Sequence, residues 1–184
     1  MKKKIERIES ARLILRQWKE SDITPFAKMN SNPKVMEYFP SLSSSEESNE
    51  MIRRFQKHIE EQGFGPWAAE LKSSGEFIGF IGLVTVGPQF PFSPAIEIGW
   101  RLTPQYWGQG LAPEGAIEVL QHAFNPLALE EVVAMTAKLN LPSQRVMQKI
   151  GMSYQEKDDF DHPKIEVAHP LCRHVLYRVR KKSI

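Results

Sequence analysis

The feature that most constrains this chain is a glycine-rich junction, Trp107-Gly108-Gln109-Gly110-Leu111-Ala112-Pro113-Glu114, set between a strand pattern and a helix pattern. Before it, Ala95 to Leu102 alternates Ile96, Ile98, Trp100 and Leu102 with Glu97, Gly99 and Arg101, so the two sets face opposite sides of a sheet. After it, Pro113 occupies the first turn of a helix whose apolar positions Ala116, Ile117, Leu120, Ala123 and Phe124 follow the helical period and which ends before Pro126. A glycine-rich turn that opens a helix presents backbone N–H groups at the positive end of the helix dipole, and such a place favours a phosphate or pyrophosphate. The turn has neither the GxGxxG spacing of dinucleotide folds nor the GK[ST] of phosphate loops. Taken alone, it serves equally well as a plain connection.

The remaining patterns surround this junction with mixed structure. Arg12 to Gln17 reads as a strand, and Ser21-Asp22 can cap a short helix that carries Pro25, Phe26 and Met29 and breaks at Asn32-Pro33. From Ser43 to Gln62 runs a second helix. Both Ser43 with Glu46 and Ser44 with Glu47 fit a capping box, Ile52, Phe55 and Ile59 line one face, and Gly63 stops it. Strand patterns follow at Trp67 to Leu71 and Glu76 to Val86, joined as a hairpin, and then a proline-rich loop from Pro88 to Pro94. Beyond the second half's first helix come a buried strand at Val132 to Ala137 and a short helix from about Pro142 to Ile150 with Val146, Met147 and Ile150 inward. Two closing strands, at Tyr154 onward and Arg173 to Arg180, flank a polar loop. Hairpins early and strand-helix-strand connections late predict an α/β (α+β) fold, a mixed but mostly antiparallel sheet of about six to seven strands with helices on both faces. The 184 residues suit one domain, with its core at about residues 11 to 180.

Composition narrows the function. With 24 Lys+Arg against 22 Asp+Glu the net charge is only +2, and basic residues gather near the ends, at Lys2, Lys3, Lys4, Arg178, Arg180, Lys181 and Lys182. That distribution is of solvated tails and argues against a nucleic-acid partner. The only cysteine, Cys172, excludes an internal disulfide; it reads as a small hydrophobe, with a thiol nucleophile beside His169 or His174 as the sharper alternative. No secretory leader and no run near the roughly 18 apolar residues of a membrane span is visible, which predicts a cytoplasmic protein without a membrane partner.

Further marks join the junction. Glu97 to Trp100 reads EIGW, Tyr106 to Ala112 reads YWGQGLA, Arg12 to Arg16 fits RLxLR, Trp67 to Glu70 fits WAxE, and Asn140, Ser143 and Val146 fit an N-x-x-S-x-x-V helix that ends in Gly151-Met152. In this set and order the chain resembles the GNAT N-acetyltransferases, in the branch similar to ribosomal-protein N-terminal alanine and serine acetyltransferases. The family turn is Q/R-x-x-G-x-G/A; here Gly110 and Ala112 take the small positions and Trp107 replaces the usual Gln or Arg. The resemblance covers about residues 11 to 180.

It implies transfer of an acetyl group from acetyl-CoA to a primary amine, a protein or peptide N-terminus or a small amine, by direct attack. A non-catalytic acyl-CoA-binding or regulatory module of the same fold is the alternative. Main-chain groups of Trp100 and Leu102 would pair with the pantetheine arm, and the N–H groups of Gln109, Gly110, Leu111 and Ala112 would bind the pyrophosphate. Asn140 and Ser143 would contact pantetheine near the thioester, although capping of the helix that Pro142 opens explains them as plainly. Glu97 beside Gly99 is the expected base, directly or through a water, unless a bulge turns it to the other face or it merely pairs with Arg101. Many relatives place a Tyr acid where this chain has Met147, so protonation of the thiolate passes to Ser143 or a water. The oxyanion would lean on a main-chain N–H near Ile98 to Trp100. In the loop from Asp158 to His174, some of the acids Asp159, Asp161 and Glu166 are expected to select a cationic amine, while His162, His169 and His174 match no metal spacing. Phe90, Phe92 and Trp67 would form the apolar side of the acceptor pocket. No metal is expected, and a homodimer stays an open arrangement.

Overall fold

The alternating segments become one nine-stranded sheet. In a computed structural model that describes residues 7–181, the strands are β1 (Ile8–Glu9), β2 (Leu13–Arg16), β3 (Pro66–Leu71), β4 (Phe77–Thr85), β5 (Ile96–Leu102), β6 (Glu131–Ala137), β7 (Ser153–Tyr154), β8 (Phe160–Asp161) and β9 (Arg173–Arg180). Their order is β1-β2-β3-β4-β5-β6-β9-β7, with β8 also on β9. Every neighbouring pair is antiparallel except β5 with β6. The sheet exceeds the expected strand number through β1 and β8, each of two residues, too short to show an alternation.

The helices are α1 (Ile23–Asn30), α2 (Ser45–Gln62), α3 (Leu111–Phe124) and α4 (Leu141–Lys149). Of the two candidate capping boxes at α2, Ser44 with Glu47 forms: Glu47 N–H donates to Ser44 Oγ at 3.1 Å and Ser44 N–H to the Glu47 carboxylate at 2.7 Å. Gly63 ends the helix at φ 79°, a left-handed conformation that glycine adopts without a Cβ penalty.

Consecutive residues of β4 show how the layers stack. Phe80 meets Phe26 of α1 and Phe55 of α2, with ring centroids 6.1 and 5.3 Å apart. Its neighbour Ile81 points the other way, against α3, where a Cβ added to Gly115 would lie 2.5 Å from Ile81 Cδ1. Helices therefore cover both faces, and Gly115 lets α3 approach the sheet. Of the expected α3 stripe only Ile117 is exposed, at 38%, while Leu111 and Val119 join Ala116, Leu120, Ala123 and Phe124 on the buried side. A smaller apolar cluster of Val86, Phe90, Val133, Phe160 and Leu176, flanked by Phe92, Ala95 and Met135, lies beside the main core.

The basic ends divide. Arg178 and Arg180 are not solvated tail residues but pair with Glu131 at 2.7 and 2.9 Å across β6 and β9; Lys2, Lys3, Lys4 and Lys182 lie outside the described residues.

Candidate active site

The parallel strands β5 and β6 share a single aligned pair, Glu97 with Val133, and then part. Each runs on into a helix, β5 into α3 through the glycine-rich turn and β6 into α4 through residues 138–140. A gap between parallel strands at their C-terminal ends is where open α/β sheets bind ligands. The β4–β5 register is unbroken from Thr85 opposite Ile96 to Gly79 opposite Leu102, so β5 has no bulge; the shift in this sheet falls at Ala69/Glu70 instead. Val86 N–H bonds Ala95 C=O and Thr103 N–H bonds Ile78 C=O, both at 2.9 Å, which fixes the parity. Odd-numbered residues of β5 bond to β4, and Ile98, Trp100 and Leu102 turn their backbone groups toward the gap.

At the head of α3, Gly108 and Gly110 have φ 74° and 77°. Gly110 is the residue that caps the helix, and having no side chain it leaves the first N–H groups of α3 uncapped. A Cβ added to Gly108, or to Gly99 in β5, would meet nothing within 4 Å. Two features of this turn were not visible in the sequence. Arg12, from the far edge of the sheet, donates to the Gln109 carbonyl at 3.0 Å and pairs with Glu114 at 2.6 Å, so the carboxylate in the first turn of α3 is neutralised where an anion would approach. Trp107 Nε1 donates to the Leu102 carbonyl at 2.7 Å, which engages one of that oxygen's two acceptor positions and leaves the Leu102 N–H for a ligand in the gap. The RLxLR mark was the available signal for Arg12, but 102 residues separate it from Glu114.

Glu97 stands where the strands part, on the face of β5 that carries Gly99 and Arg101. Its carboxyl is pushed up to about 8 by burial, against the opposing effect of a hydrogen bond from the Met135 backbone. Across the gap, Asn140 caps α4: its side chain accepts from Ser143 N–H at 3.2 Å and donates to Thr136 Oγ1 at 2.9 Å. The capping reading of Asn140 is thus realised, and the Ser143 hydroxyl makes no hydrogen bond within the described residues. Met147 is buried in the core.

The loop between β7 and β9 departs from expectation. Asp159 pairs with Lys138 at 2.9 Å, Asp161 with Arg173 at 3.2 Å and Asp158 with Arg178 at 3.2 Å, while Glu166 is exposed. Acids already satisfied by neighbouring cations are poor selectors of a cationic amine. His162 and His174 pack as tilted rings with centroids 4.7 Å apart beside Phe90 and Phe160, and burial holds both below the ordinary imidazole range, His162 at about 4. Cys172 is buried with its thiol toward the Ile165 carbonyl, and the Nδ1 atoms of His169 and His174 engage Leu171 N–H and the Cys172 carbonyl. Phe92 packs on Phe90 and Phe160, at the border of the smaller cluster. Trp67 is no pocket wall: it is fully buried, edge-on to His122. Two surface hollows of about 270 and 450 Å³, one at Arg16 and Glu70 and the other between α1 and α2, contain neither Glu97 nor the glycine turn.

Among the described residues no cluster of three or more His, Cys, Asp or Glu side chains is arranged for a metal ion, and no helix is long and apolar enough to cross a membrane.

Comparison with known proteins agrees with this geometry. A family model described as an acetyltransferase (GNAT) domain matches residues 12–153. The FsC-acetyl coenzyme A-N(2)-transacetylase of Aspergillus fumigatus is 35% identical over 133 residues, covering 66% of this chain and 56% of that protein. Two solved structures share the fold. Mycobacterium smegmatis RimJ in complex with CoA-disulfide superposes with a TM-score of 0.77 at 17% identity, over 98% of this chain and 90% of that one. The ribosomal-protein-S5-alanine acetyltransferase of Vibrio fischeri superposes at 0.75 and 16% identity, over 96% of this chain and 97% of that one.

Proposed function

The chain belongs to the GNAT acetyltransferase family, an acyltransferase family that uses acetyl-CoA, and on that premise we propose that it acetylates a primary amine by direct attack, with Glu97 as the base. The acceptor is a peptide N-terminus or a small amine, and the whole chain acts as one N-acetyltransferase domain.

The observation that carries the reading is the position of Glu97 at the parting of β5 and β6, beside the open floor at Gly99. An amine reaches solution mostly as an ammonium ion and attacks only when neutral, so a proton must leave. A carboxylate raised to about 8 is well matched to receive it at mild alkaline pH. Acetyl-CoA supplies the thioester acetyl group. The chain's part is to hold it and to move protons. The backbone groups of Trp100 and the N–H of Leu102 would align the pantetheine arm as an added strand. The N–H groups of Gln109, Gly110, Leu111 and Ala112 would hold the pyrophosphate, in a cradle that side chains at Gly108 or Gly110 would obstruct. Asn140 and Ser143 border the thioester end, where the unengaged hydroxyl of Ser143, or a water, returns a proton to sulfur.

Acetyl-CoA at about 100 times its Kd should stabilise the protein by about 2.7 kcal/mol in a thermal-shift assay. No shift at saturation would remove both acetyl transfer and mere acyl-CoA binding. Once a thiol-release screen over amines and N-terminal peptides yields an acceptor, Glu97→Gln should lower kcat/KM about 10²- to 10⁴-fold with acetyl-CoA stabilisation retained. In the wild type kcat/KM should rise with pH and level off above about 8, as Glu97 ionises. A variant as active as wild type would leave Glu97 without the base role and favour water.

A further inference from the structure

Resting on the acetyl-transfer reading, we propose that Arg101 is the receptor for a carboxylate on the acceptor, so that the enzyme acetylates small amines that also carry an acid group.

Arg101 is unlike the other arginines of the described residues. Arg7, Arg12, Arg16, Arg53, Arg173, Arg178 and Arg180 each pair with a carboxylate, and Arg54 and Arg145 are exposed. Arg101 lies in the protein with no carboxylate partner. Its Nη1 donates to Asn30 Oδ1 at 2.7 Å, its guanidinium lies over the Phe39 ring at 4.3 Å and near Phe80 at 5.6 Å, and its Nε is buried without an acceptor. Burial lowers its pKa to about 10, so it remains a cation at neutral pH. A buried charge with a neutral amide and two rings for company is costly unless an anion joins it. The rings hold the guanidinium in place by cation–π contact while leaving donors unspent.

Its position says which anion. On β5, Glu97, Gly99 and Arg101 share one face, and the space above Gly99 is open. The Cα atoms of Glu97 and Arg101, four residues apart in a strand, are separated by roughly 13 Å, and side chains that stand perpendicular to the sheet keep much of that spacing. An acceptor that gives its amine to Glu97 and its carboxylate to Arg101 would therefore have several bonds between the two groups. Of the acids in the loop from 158 to 174, Asp158, Asp159 and Asp161 are held by Arg178, Lys138 and Arg173, and Glu166 is turned to solvent. The uncompensated charge beside the base is positive, which suits an acidic acceptor better than a polyamine.

The test pairs each ω-amino acid from glycine to 6-aminohexanoate with its amide in a thiol-release assay on wild type, Arg101→Gln and Arg101→Lys. The acids should react with kcat/KM about 10- to 100-fold above their amides at the best chain length. Arg101→Gln should bring acid and amide to parity and Arg101→Lys keep part of the preference, with acetyl-CoA stabilisation at the wild-type level in both. Equal use of acid and amide by wild type, or a preference that survives Arg101→Gln, overturns the receptor. Calorimetric titration of 6-acetamidohexanoate and 6-acetamidohexanamide onto CoA-bound protein reads the same preference without turnover: tighter binding of the acid supports it, and equal or absent binding of both overturns it. A preference confined to peptides with an acidic residue near the N-terminus would overturn the small-molecule acceptor. Loss of acetyl-CoA stabilisation in wild type would refute acetyl transfer itself, whereas stabilisation without acid preference refutes only the role of Arg101.

Discussion

The β2–β3 edge and the Glu97–Arg101 face of β5 both hold half-buried charge, but they treat it in opposite ways. At the edge, Arg16 meets Asp22 at 2.7 Å and Glu70 at 2.6 Å, and Lys19 joins Glu70 at 2.9 Å. Burial works against the Arg16 charge, yet the hydrogen bonds to Asp22 and Glu70 outweigh it and leave its pKa above the ordinary value. On β5, Glu97 and Arg101 have no opposite charge beside them, and burial moves both toward neutrality, to about 8 and about 10. The first arrangement braces the fold. The second leaves a carboxyl and a guanidinium on one strand face without an opposite charge beside them, the arrangement on which the proposed roles of both rest.

The contrast can be broken by substitution, and the largest effect should come at the edge. Arg16→Met leaves Asp22 and Glu70 short of their partner and should cost about 3–5 kcal/mol in urea unfolding; a loss below 1 kcal/mol would show that the network adds little. At Glu97 the effect should depend on pH. Its folded pKa of about 8 exceeds the unfolded value near 4.5, so the stability it contributes is full below about 4.5 and is lost as pH rises through about 8. Glu97→Gln carries no such loss, and its stability relative to wild type should grow by about 4 kcal/mol between pH 5 and pH 9. A gap that stays constant across that range would mean Glu97 is not buried as a neutral acid. Arg101→Gln should change stability least, by under about 1 kcal/mol, because no ion pair is broken. If it unfolds the protein as readily as Arg16→Met, Arg101 is a strut like Arg16 and not a receptor.

Much of the fold was legible from residue patterns. The long strands and all four helices declare themselves through alternation, helical spacing and caps such as Ser44 and Gly63, because these are local requirements of the backbone. What escaped was short or packed from outside: β1 and β8, the exposure of Ile117, and the burial of Trp67 beneath α3. The glycine turn was readable for the same local reason, since Gly108 and Gly110 adopt left-handed conformations closed to most side chains.

The chain alone therefore determined the frame of the proposed cofactor side: a strand, a left-handed turn and a helix start are contiguous, and their backbone geometry is set locally. The proposed acceptor side was decided by tertiary structure. Only folding brings Arg12 to Glu114, lays Arg101 on Phe39, sets Glu97 against the Met135 backbone and cancels the acids of the loop after β7 with cations from other strands. A charge's meaning depends on what stands within a few ångströms of it, and separation along the chain carries no record of that distance.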